Sequence, residues 1–567
     1  MKSILLLLTV FIISSSLIQA QTKTTREIIL SAMKDELARN MEQLQLDNLQ
    51  KPFFISYTIR DTRTMEVTAT LGSIVYSDEN HVRSHNVRVM VGDYQFTDEN
   101  FRDTSPGGFQ RTLLQGTDQL PLEDDYYGIR RALWITTDRI YKSASEIYER
   151  KKAALEQQEL SEEEKSLEDF SQAPVVKYTE PSRQFAMDRS KWEKIANEIS
   201  AIFQIYPDIY SSQIRIYFYQ GDAYFINSEG TEVVQPLTLV SVLINAETQA
   251  IDGEPLNDMI FYIGTIPQDL PAIKTIKQDV KTMAERLIIL RAVPVFEDSY
   301  TGPVMFEDQS AAELVAQQFF GRSNGLLAYR QPIMAGRTSS RQIRSLSLED
   351  RIGTRILSRD LTIKAVPNME TFSGKKLIGS YKVDAEGIKP PEEIVLVENG
   401  ILKTLLSNRT PTTKVKEPNG HQRALISTGR FAGSRLGPSV ILMTTSDGKA
   451  KAEMKNELLQ LAKEEGLEYA IVVRKIMSVV KPILVYRVYV EDGKEDLVRS
   501  VRLGRLTLSA LRRIYTAAEE QFLYQKGIIP ASFIVPQSII FEELEVEQEK
   551  RAYTPKLPVV PSPLLEK

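Results

Sequence analysis

Cysteine is absent from all 567 residues of the chain, and histidine occurs three times, as His81, His85 and His421. Without cysteine the chain can form no disulfide bond, so its stability must come from the size of its hydrophobic core. The same absence excludes a lipid anchor attached through cysteine. The scarcity of histidine severely restricts any metal site that would use imidazole ligands.

The sequence also lacks an excess of charge of one sign. It carries 70 lysine and arginine residues against 75 aspartate and glutamate residues, which gives a formal net charge of −5. Basic and acidic residues are mixed along the chain. We therefore expect no basic surface for nucleic acid.

Long apolar runs are confined to the N-terminus. Lys2 precedes an apolar run at residues 4–13, and small residues follow up to Ala20. This pattern is typical of a secretory signal peptide at residues 1–20, and the run is too short for a membrane span. We predict cleavage near Ala20 and export to the periplasm or the extracellular space. An uncleaved membrane anchor is the alternative.

Hydrophobic periodicity predicts two helix-plus-sheet sections within residues 21–291, which we assign to an N-terminal domain. Predicted helices cover residues 25–49, 128–158, 192–203 and 271–291. Predicted strands cover residues 53–60, 66–76, 87–96, 213–219, 222–227, 232–246 and 259–266, with turns at 77–80, 220–221 and 228–230. Residues 149–169 are rich in lysine, glutamate and glutamine. They are predicted to form a helical arm with a solvated face or, alternatively, a contact with a partner.

Residues 295–550 are predicted to form a second domain, which is mostly antiparallel β. Its predicted strands cover residues 360–365, 376–383, 393–398, 401–408, 439–444, 469–476 and 482–490. Predicted helices cover residues 449–465 and 506–521, and the proline-rich residues 551–567 form an extended tail. The fold class expected for the whole chain is α+β, with N-terminal helices packed on antiparallel sheets.

Residues 306–322 (FEDQSAAELVAQQFFGR) are predicted to form a buried helix packed on a sheet. Ser310 and Glu313 have the spacing of a capping box, and Gly321 is a natural end. A zinc-peptidase helix with the pattern HExxH or HExxxH needs two histidines one turn apart and a glutamate that activates water. This helix contains Glu313 and no histidine, so it does not supply that chemistry.

The first two histidines form the pattern HVRSH, which we interpret as a turn that runs into a strand. On a strand, His81 and His85 share one face but lie about 13 Å apart, which is too far for one metal ion. A structural role is therefore favoured for both.

Polar residues in two loops of the C-terminal region are the candidate substrate-binding residues. Asn399-Gly400, between two apolar alternating runs, predicts a hairpin and hence a rigid β scaffold that carries these loops. The candidates are Asp384, Glu386, Asn419, His421 and Arg423. Two alternatives remain, namely purely structural hydrogen bonding or a zinc site made by His421 with the two acids. No residue is assigned as catalytic.

Three segments together resemble the TldD/PmbA (TldE) family, the metalloprotease pair once called modulators of DNA gyrase. They are VDAEGIKPPEEIVLVENGILKTLLSNR at 383–409, PNGHQR at 418–423 and GPVMFEDQSAAEL at 302–314. The last stands where TldD members carry HExxxH. The resemblance is strongest over residues 295–545.

This resemblance implies a heterodimer in which TldD-type chains hold zinc and TldE/PmbA-type chains do not. The ligands of the active partner are the two histidines of HExxxH and a later cysteine. All three are missing here, so no catalytic residue can be transferred, and the chain is similar to the zinc-less type. We expect no cofactor in this chain, zinc in a TldD-type partner, and a hetero- or homodimer. The signal peptide departs from the cytoplasmic members, which argues against a role with gyrase.

These observations leave three hypotheses about the function of the protein. The leading hypothesis is a non-catalytic subunit of an exported peptidase, which holds an unfolded peptide in extended form at a sheet edge while a zinc-bearing partner hydrolyses it. The second is a free-standing peptide-binding or structural module of the cell envelope. The third is a metallopeptidase with an atypical metal site that uses His421 with Asp384 or Glu386.

Overall fold

The computed structural model describes residues 23–103, 120–156, 166–321, 325–335, 347–426, 433–478, 480–549 and 559–566. The predicted signal peptide lies outside these residues, as do residues 157–165 of the predicted arm and much of the predicted tail. The α+β class is confirmed, because helices alternate with mainly antiparallel sheets. None of the described helices combines the length and the apolar character that a membrane span requires.

Apart from the last one, the described helices differ from the predicted ones mainly at their ends. They are α1 (Thr25–Gln43), α2 (Tyr126–Glu156), α3 (Arg189–Ser200), α4 (Ile273–Leu290), α5 (Gln309–Phe320), α6 (Lys451–Glu464) and α7 (Leu508–Arg512). In α1 the helix begins with a capping box between Thr24 and Glu27 and ends six residues earlier than the predicted residue 49. Short 3₁₀ turns follow α3 and precede α4.

Strands from the first half of the chain build one large sheet, here called the N-terminal sheet. The strands of this half are β1 (Pro52–Thr70), β2 (Ser73–Val91), β3 (Phe101–Asp103), β4 (Lys177–Thr179), β5 (Ser211–Asn227), β6 (Glu232–Gln249) and β7 (Pro255–Gly264). The sheet has the order β2-β1-β5-β6-β4, and β7 also pairs with β6. One face is covered by α1 and α2 at one end and by α3 and α4 at the other, which buries two apolar clusters.

Two of the predicted turns in this sheet are wrong. The chain reverses at Leu71 and Gly72, both with positive φ, so β2 runs straight through residues 77–80. Strand β5 is also continuous through Gly221, where an added Cβ would lie 2.1 Å from the carbonyl oxygen of Asp61. That glycine therefore permits close approach of β1 and does not mark a turn. The turn at 228–230 is confirmed by the positive φ of Gly230.

The described part of the second half of the chain forms two further large sheets and two small two-stranded ones. Its strands are β8 (Ser299–Glu307), β9 (Ile333–Ala335), β10 (Leu361–Ala365), β11 (Thr371–Phe372), β12 (Lys375–Lys376), β13 (Ile394–Glu398), β14 (Ile401–Leu402), β15 (Gln422–Ala424), β16 (Ser434–Leu436), β17 (Val440–Thr445), β18 (Tyr469–Ser478), β19 (Lys481–Tyr489), β20 (Glu495–Val498), β21 (Val501–Leu503), β22 (Ile514–Ala517), β23 (Gln521–Lys526), β24 (Ala531–Pro536) and β25 (Ser538–Gln548). One sheet has the order β14-β13-β10-β17-β24-β23. The other has the order β20-β19-β18-β8-β25-β21, with β22 on β25.

Several predicted elements of this half need correction. The predicted helix at 506–521 is wrong, because it contains the short α7 followed by β22 and the start of β23. The predicted strands at 376–383 and 401–408 shrink to β12 and β14, and the rest of both segments is loop. The Asn399-Gly400 hairpin is confirmed, with φ values of 47° and 76°.

Helix α5 lies in the largest hydrophobic core, between strands of both C-terminal sheets, as the sequence predicts. The predicted capping box between Ser310 and Glu313 is wrong. The residue before the helix is Asp308, and Ser310 lies inside it, where its hydroxyl donates to the carbonyl oxygen of Val473 at 2.6 Å. Glu313 binds Lys526 Nζ at 2.6 Å and does not cap the helix. Gly321 follows the last helical residue, as predicted.

The charged arm at residues 149–169 is not solvated along its whole length. Lys151 and Asp169 are both buried and form an ion pair. Lys151 also donates to the carbonyl oxygen of Thr97 at 3.0 Å. The expectation of a solvated face is therefore wrong at these two residues, which anchor the end of α2 to the chain after β2.

Two buried arginines connect the halves of the chain. Arg60 of β1 donates to the carbonyl oxygens of Leu425 and Gly433, each at 2.6 Å. Arg409 binds both carboxylate oxygens of Glu229, at 2.6 and 2.7 Å. The domain boundary near residues 291–295 stays a prediction.

Candidate functional site

The five predicted substrate-binding residues lie together in a set of buried loops. Asp384 accepts hydrogen bonds from the backbone N–H groups of Glu386 at 2.9 Å, Ile388 at 2.8 Å and Gln422 at 3.0 Å. Burial and the neighbouring Glu386 raise the pKa of Asp384 to about 7, although the three N–H donors favour the charged form. This carboxyl group joins the 384–388 turn to β15.

Glu386 is also committed to partners within the chain. Its carboxylate accepts from Arg88 Nη1 at 2.7 Å and from the backbone N–H of Arg409 at 3.0 Å. The residue is 8% exposed. Glu386 therefore connects β2 to the loop that carries Arg409, and it is not presented to solvent.

Asn419 and His421 support each other. The Asn419 side chain accepts from the backbone N–H of Ser407 and donates to the carbonyl oxygen of Leu405, each at 2.8 Å. His421 Nδ1 lies 3.0 Å from the carbonyl and side-chain oxygens of Asn419, and its Nε2 lies 3.1 Å from Ser439 Oγ. Burial lowers the pKa of His421 to about 3, so the ring is neutral at neutral pH.

Arg423 completes this loop cluster. Its guanidinium group donates to the carbonyl oxygens of Gly379 at 3.2 Å and Pro530 at 3.1 Å, and it stacks 3.6 Å from the ring centroid of Tyr381. Asp384 and Arg423 line a small cavity of about 160 Å³. The cluster holds loops together, and a role for these residues toward a substrate stays a prediction.

The other two histidines lie within β2 and not at a turn. His81 Nε2 lies 2.6 Å from Asp61 Oδ1, and His85 Nε2 lies 2.9 Å from Thr136 Oγ1. His85 is fully buried, whereas the side chain of His81 is partly exposed. Each ring thus has its own partner, on a different element of the fold.

A larger cleft of about 690 Å³ lies between the N-terminal sheet, α5 and the β23–β24 hairpin. It is mostly apolar. The sheet contributes Leu239, Leu243, Met259, Phe261 and Ile263, α5 contributes Ala316 and Phe320, and the hairpin contributes Tyr524, Ile528 and Ile529. A largely apolar cleft of this size with a few polar groups is the usual form of a ligand-binding site.

The cleft forms because β7 is apolar on both faces. Ile260 and Tyr262 point to the side that packs on α4, while Phe261 and Ile263 point to the other side. That second side is covered only in part by the C-terminal half, and Phe261 stays 39% exposed. A strand that is apolar on both faces must be covered by other residues on both faces. The continuous apolar run MIFYI at residues 259–263 therefore indicates a second packing surface on β7, which the sequence analysis missed.

Helix α5 presents Glu313 to this cleft. The carboxylate is 4% exposed and accepts from Lys526 Nζ of β23 at 2.6 Å and from Gln317 Nε2 one turn along the helix. An ion pair between the helix and the hairpin is thus part of the lining of the cleft.

The zinc ligands that the resemblance implies do not fit these residues. The helix offers Ala312, Glu313 and Gln317 at the relevant turn, and Glu313 is already paired with a lysine. Across the described part of the chain, no three histidine, cysteine, aspartate or glutamate side chains are grouped so that they could hold a metal ion.

Comparisons with known proteins support the resemblance. A model of the PmbA/TldA metallopeptidase C-terminal domain family matches residues 299–548. A protein named metalloprotease from Methanothermobacter thermautotrophicus is 41% identical over 80 residues, which are 14% of this chain and 16% of that protein. Residues 299–548 belong to the TldD/PmbA family.

Solved structures of other proteins share the fold. TldE from Thermococcus kodakarensis is 12% identical, with a TM-score of 0.55 over 91% of this chain and 100% of the other. A Thermotoga maritima protein named for modulation of DNA gyrase is 14% identical, with a TM-score of 0.55 over the same shares. At these identities the likeness shows the fold alone. The relation to metallopeptidases thus rests on the sequence of residues 299–548, and the solved structures add the fold.

Proposed function

We propose that this TldD/PmbA-family chain is an exported, zinc-less subunit that binds extended peptides for a zinc-bearing partner of the TldD type. One observation carries the proposal. The helix that borders the cleft has a lysine-paired Glu313 and no histidine, while the cleft itself has the size and lining of a binding site.

Two features support binding over hydrolysis. The chain has no cysteine, and two of its three histidines are fully buried. His421 is hydrogen-bonded to Asn419 and Ser439 and is not among the residues that line the cleft. Zinc needs several unoccupied nitrogen, sulfur or oxygen ligands that converge on one point, and the cleft does not offer them.

The lining of the cleft supports a peptide as the ligand. Apolar side chains come from a sheet face, a helix and a hairpin, so a chain lying in the cleft would be contacted from three sides. A partner subunit would then supply the zinc-activated water, while this chain orients the substrate.

The test is reconstitution with a TldD-type protein that carries HExxxH. Each protein is purified alone and as a mixture, and complex formation is measured together with hydrolysis of an unfolded protein such as casein. We expect a stable complex and faster hydrolysis by the mixture than by the partner alone. The proposal is contradicted if the proteins do not associate and the partner alone has full activity. That result would favour a free-standing envelope module.

Export has a separate test. Fractionation of cells that express the full-length chain should place the mature protein outside the cytoplasm, with its N-terminus at residue 21. A cytoplasmic protein that retains residues 1–20 would contradict this part of the proposal.

A further inference from the structure

We propose that the small cavity beside Arg423 binds a carboxylate group, supplied either by a free small acid or by the C-terminal end of a peptide. The cavity is a site of its own, because none of the charged residues that line it also lines the apolar cleft. A ligand bound here therefore does not require peptide binding in the cleft.

Arg423 is a buried cation without an acidic partner. It is 6% exposed, and it forms no ion pair with any described residue. Three other buried arginines, Arg83, Arg409 and Arg499, each pair with a carboxylate. The Nη2 atom of Arg423 donates to two carbonyl oxygens, and its Nε atom is buried without a hydrogen-bond partner. Because burying a cation without a counter-charge is costly, this guanidinium group favours an anion from outside the chain.

Asp384 lines the same cavity and offsets this charge only in part. Its Oδ1 atom accepts from the backbone N–H groups of Glu386 and Ile388, and its Oδ2 atom accepts from that of Gln422. Burial raises the pKa of Asp384 to about 7, so a fraction of the molecules carry it uncharged at neutral pH. The carboxyl group is thus committed to the backbone, and Arg423 keeps an excess of positive charge beside the cavity.

The exposed rim of the cavity also carries an unbalanced cation. Arg183 is paired with Glu180, and Lys382 is paired with Glu370 at 2.8 Å. Lys376 of β12 lines the cavity and forms no ion pair with a described residue. The rim therefore has one positive charge more than its acids balance, which attracts a negatively charged ligand toward the buried guanidinium group.

The size and charge of the cavity favour a carboxylate. Its volume of about 160 Å³ has room for several water molecules, but it is smaller than the roughly 300–1,000 Å³ of pockets that enclose a whole drug-sized ligand. It therefore suits one functional group with a short substituent. A guanidinium group matches the planar pair of carboxylate oxygens. The nearby Asp384 disfavours a doubly charged anion such as phosphate.

The test adds propionate, inorganic phosphate or N-acetyl-alanyl-alanine to the full mature chain at constant ionic strength and measures binding by calorimetry. The dipeptide is used with a free and with an amidated C-terminus. We expect propionate or the free-acid dipeptide to bind, and the amide and phosphate to bind about tenfold more weakly or less. Tighter binding of the free-acid dipeptide than of propionate assigns the site to a peptide end, and the reverse order assigns it to a small acid.

Protein variants localise the site. Arg423→Gln should weaken carboxylate binding about tenfold or more, because the charged donor is lost. Arg60→Gln is the matched control, since Arg60 is 3% exposed, donates to carbonyl oxygens and does not line the cavity. It should leave binding unchanged. Lys376→Glu changes only the exposed rim and should weaken binding about threefold. Circular dichroism checks the fold of each variant.

Each result supports or overturns the carboxylate site. If the wild-type chain binds neither propionate nor the free-acid dipeptide, there is no such site. Equal binding by wild type and Arg423→Gln overturns the location, as does equal loss in Arg60→Gln. If Arg423→Gln does not fold, unchanged binding in Lys376→Glu overturns the location instead. Tighter binding of phosphate than of either carboxylate overturns the ligand class. None of these results bears on peptide binding in the cleft.

Discussion

Arg409 offers the sharpest test of how the two halves of this molecule are joined. Its side chain is 1% exposed and forms a two-pronged ion pair with Glu229, which is 15% exposed. Its Nε and Nη2 atoms also donate to the carbonyl oxygen of Ser171, at 2.9 and 2.6 Å. The guanidinium group lies 3.9 Å from the ring centroid of Phe170. Arg409→Ala removes all of these contacts at once.

The expected loss of stability follows from the buried polar groups that Arg409→Ala leaves without hydrogen-bond donors. Glu229 and the carbonyl oxygen of Ser171 would stay largely buried without their donors. Removing one partner of a buried ion pair typically costs about 3–5 kcal/mol. We expect Arg409→Ala to lower the free energy of unfolding by about that amount. Adding Glu229→Gln to this variant should recover part of the loss, with a coupling of about 1–3 kcal/mol.

Urea unfolding at pH 7, followed by tryptophan fluorescence and circular dichroism, measures the loss. Arg215→Ala is the matched control, because Arg215 also pairs with a glutamate but is 40% exposed. An exposed pair contributes about 0.2–1 kcal/mol. The reasoning is refuted if Arg409→Ala costs no more than the control, or if Glu229→Gln has the same effect with and without Arg409.

Three further predictions concern single residues. Burial lowers the pKa of His421 to about 3, so the unfolded chain binds the extra proton below about pH 6.5 and wild-type stability falls as the pH drops from there toward 3. In urea titrations over this pH range, the free energy of unfolding of His421→Gln should fall by up to about 1.4 kcal/mol less per pH unit than that of the wild type. The same pH dependence in both proteins would contradict the low pKa of His421. Gly400→Ala should destabilise the chain by about 1–3 kcal/mol in thermal unfolding, because φ is 76° and the new Cβ would lie 2.4 Å from the Leu357 carbonyl oxygen; an unchanged midpoint would refute this. Lys151→Met should cost about 3–5 kcal/mol by leaving Asp169 buried and unpaired, and a loss below about 1 kcal/mol would show that the arm is solvated after all.

Elements with strong local signals could be predicted from the sequence. Helix α5 was predicted because its apolar residues recur at helical spacing and Gly321 ends it. The hairpin at Asn399-Gly400 was predicted because both residues readily adopt positive φ. Such features depend on a few neighbouring residues, so the sequence alone is sufficient to find them.

Elements that depend on distant contacts could not be predicted in the same way. The β1–β2 turn uses Leu71 at positive φ, which is unusual for leucine and is tolerated because the surrounding sheet enforces it. Residues 506–521 have helical spacing, yet the helix covers only Leu508–Arg512, Ile514–Ala517 pairs with β25, and Gln521 begins the pairing with β24. Tertiary pairing outweighs the local pattern there.

The candidate site shows the same limit. The loop residues from Asp384 to Arg423 are polar candidates that the sequence indicates, but their burial depends on partners such as Arg88 and Ser439 elsewhere in the chain. The cleft is lined mainly by residues within 215–263, 313–321 and 524–533, and the last of these segments was not predicted as a hairpin. No single one of these segments has a sequence pattern that predicts the cleft.

The zinc content and peptidase activity of the isolated mature chain test the central claim most directly. The chain is expressed in zinc-supplemented medium, purified without chelators, and measured by mass spectrometry of the metal and by hydrolysis of casein. The proposed function predicts well below one zinc per chain and no hydrolysis above a buffer control. One tightly held zinc per chain together with hydrolysis that chelation abolishes would contradict it.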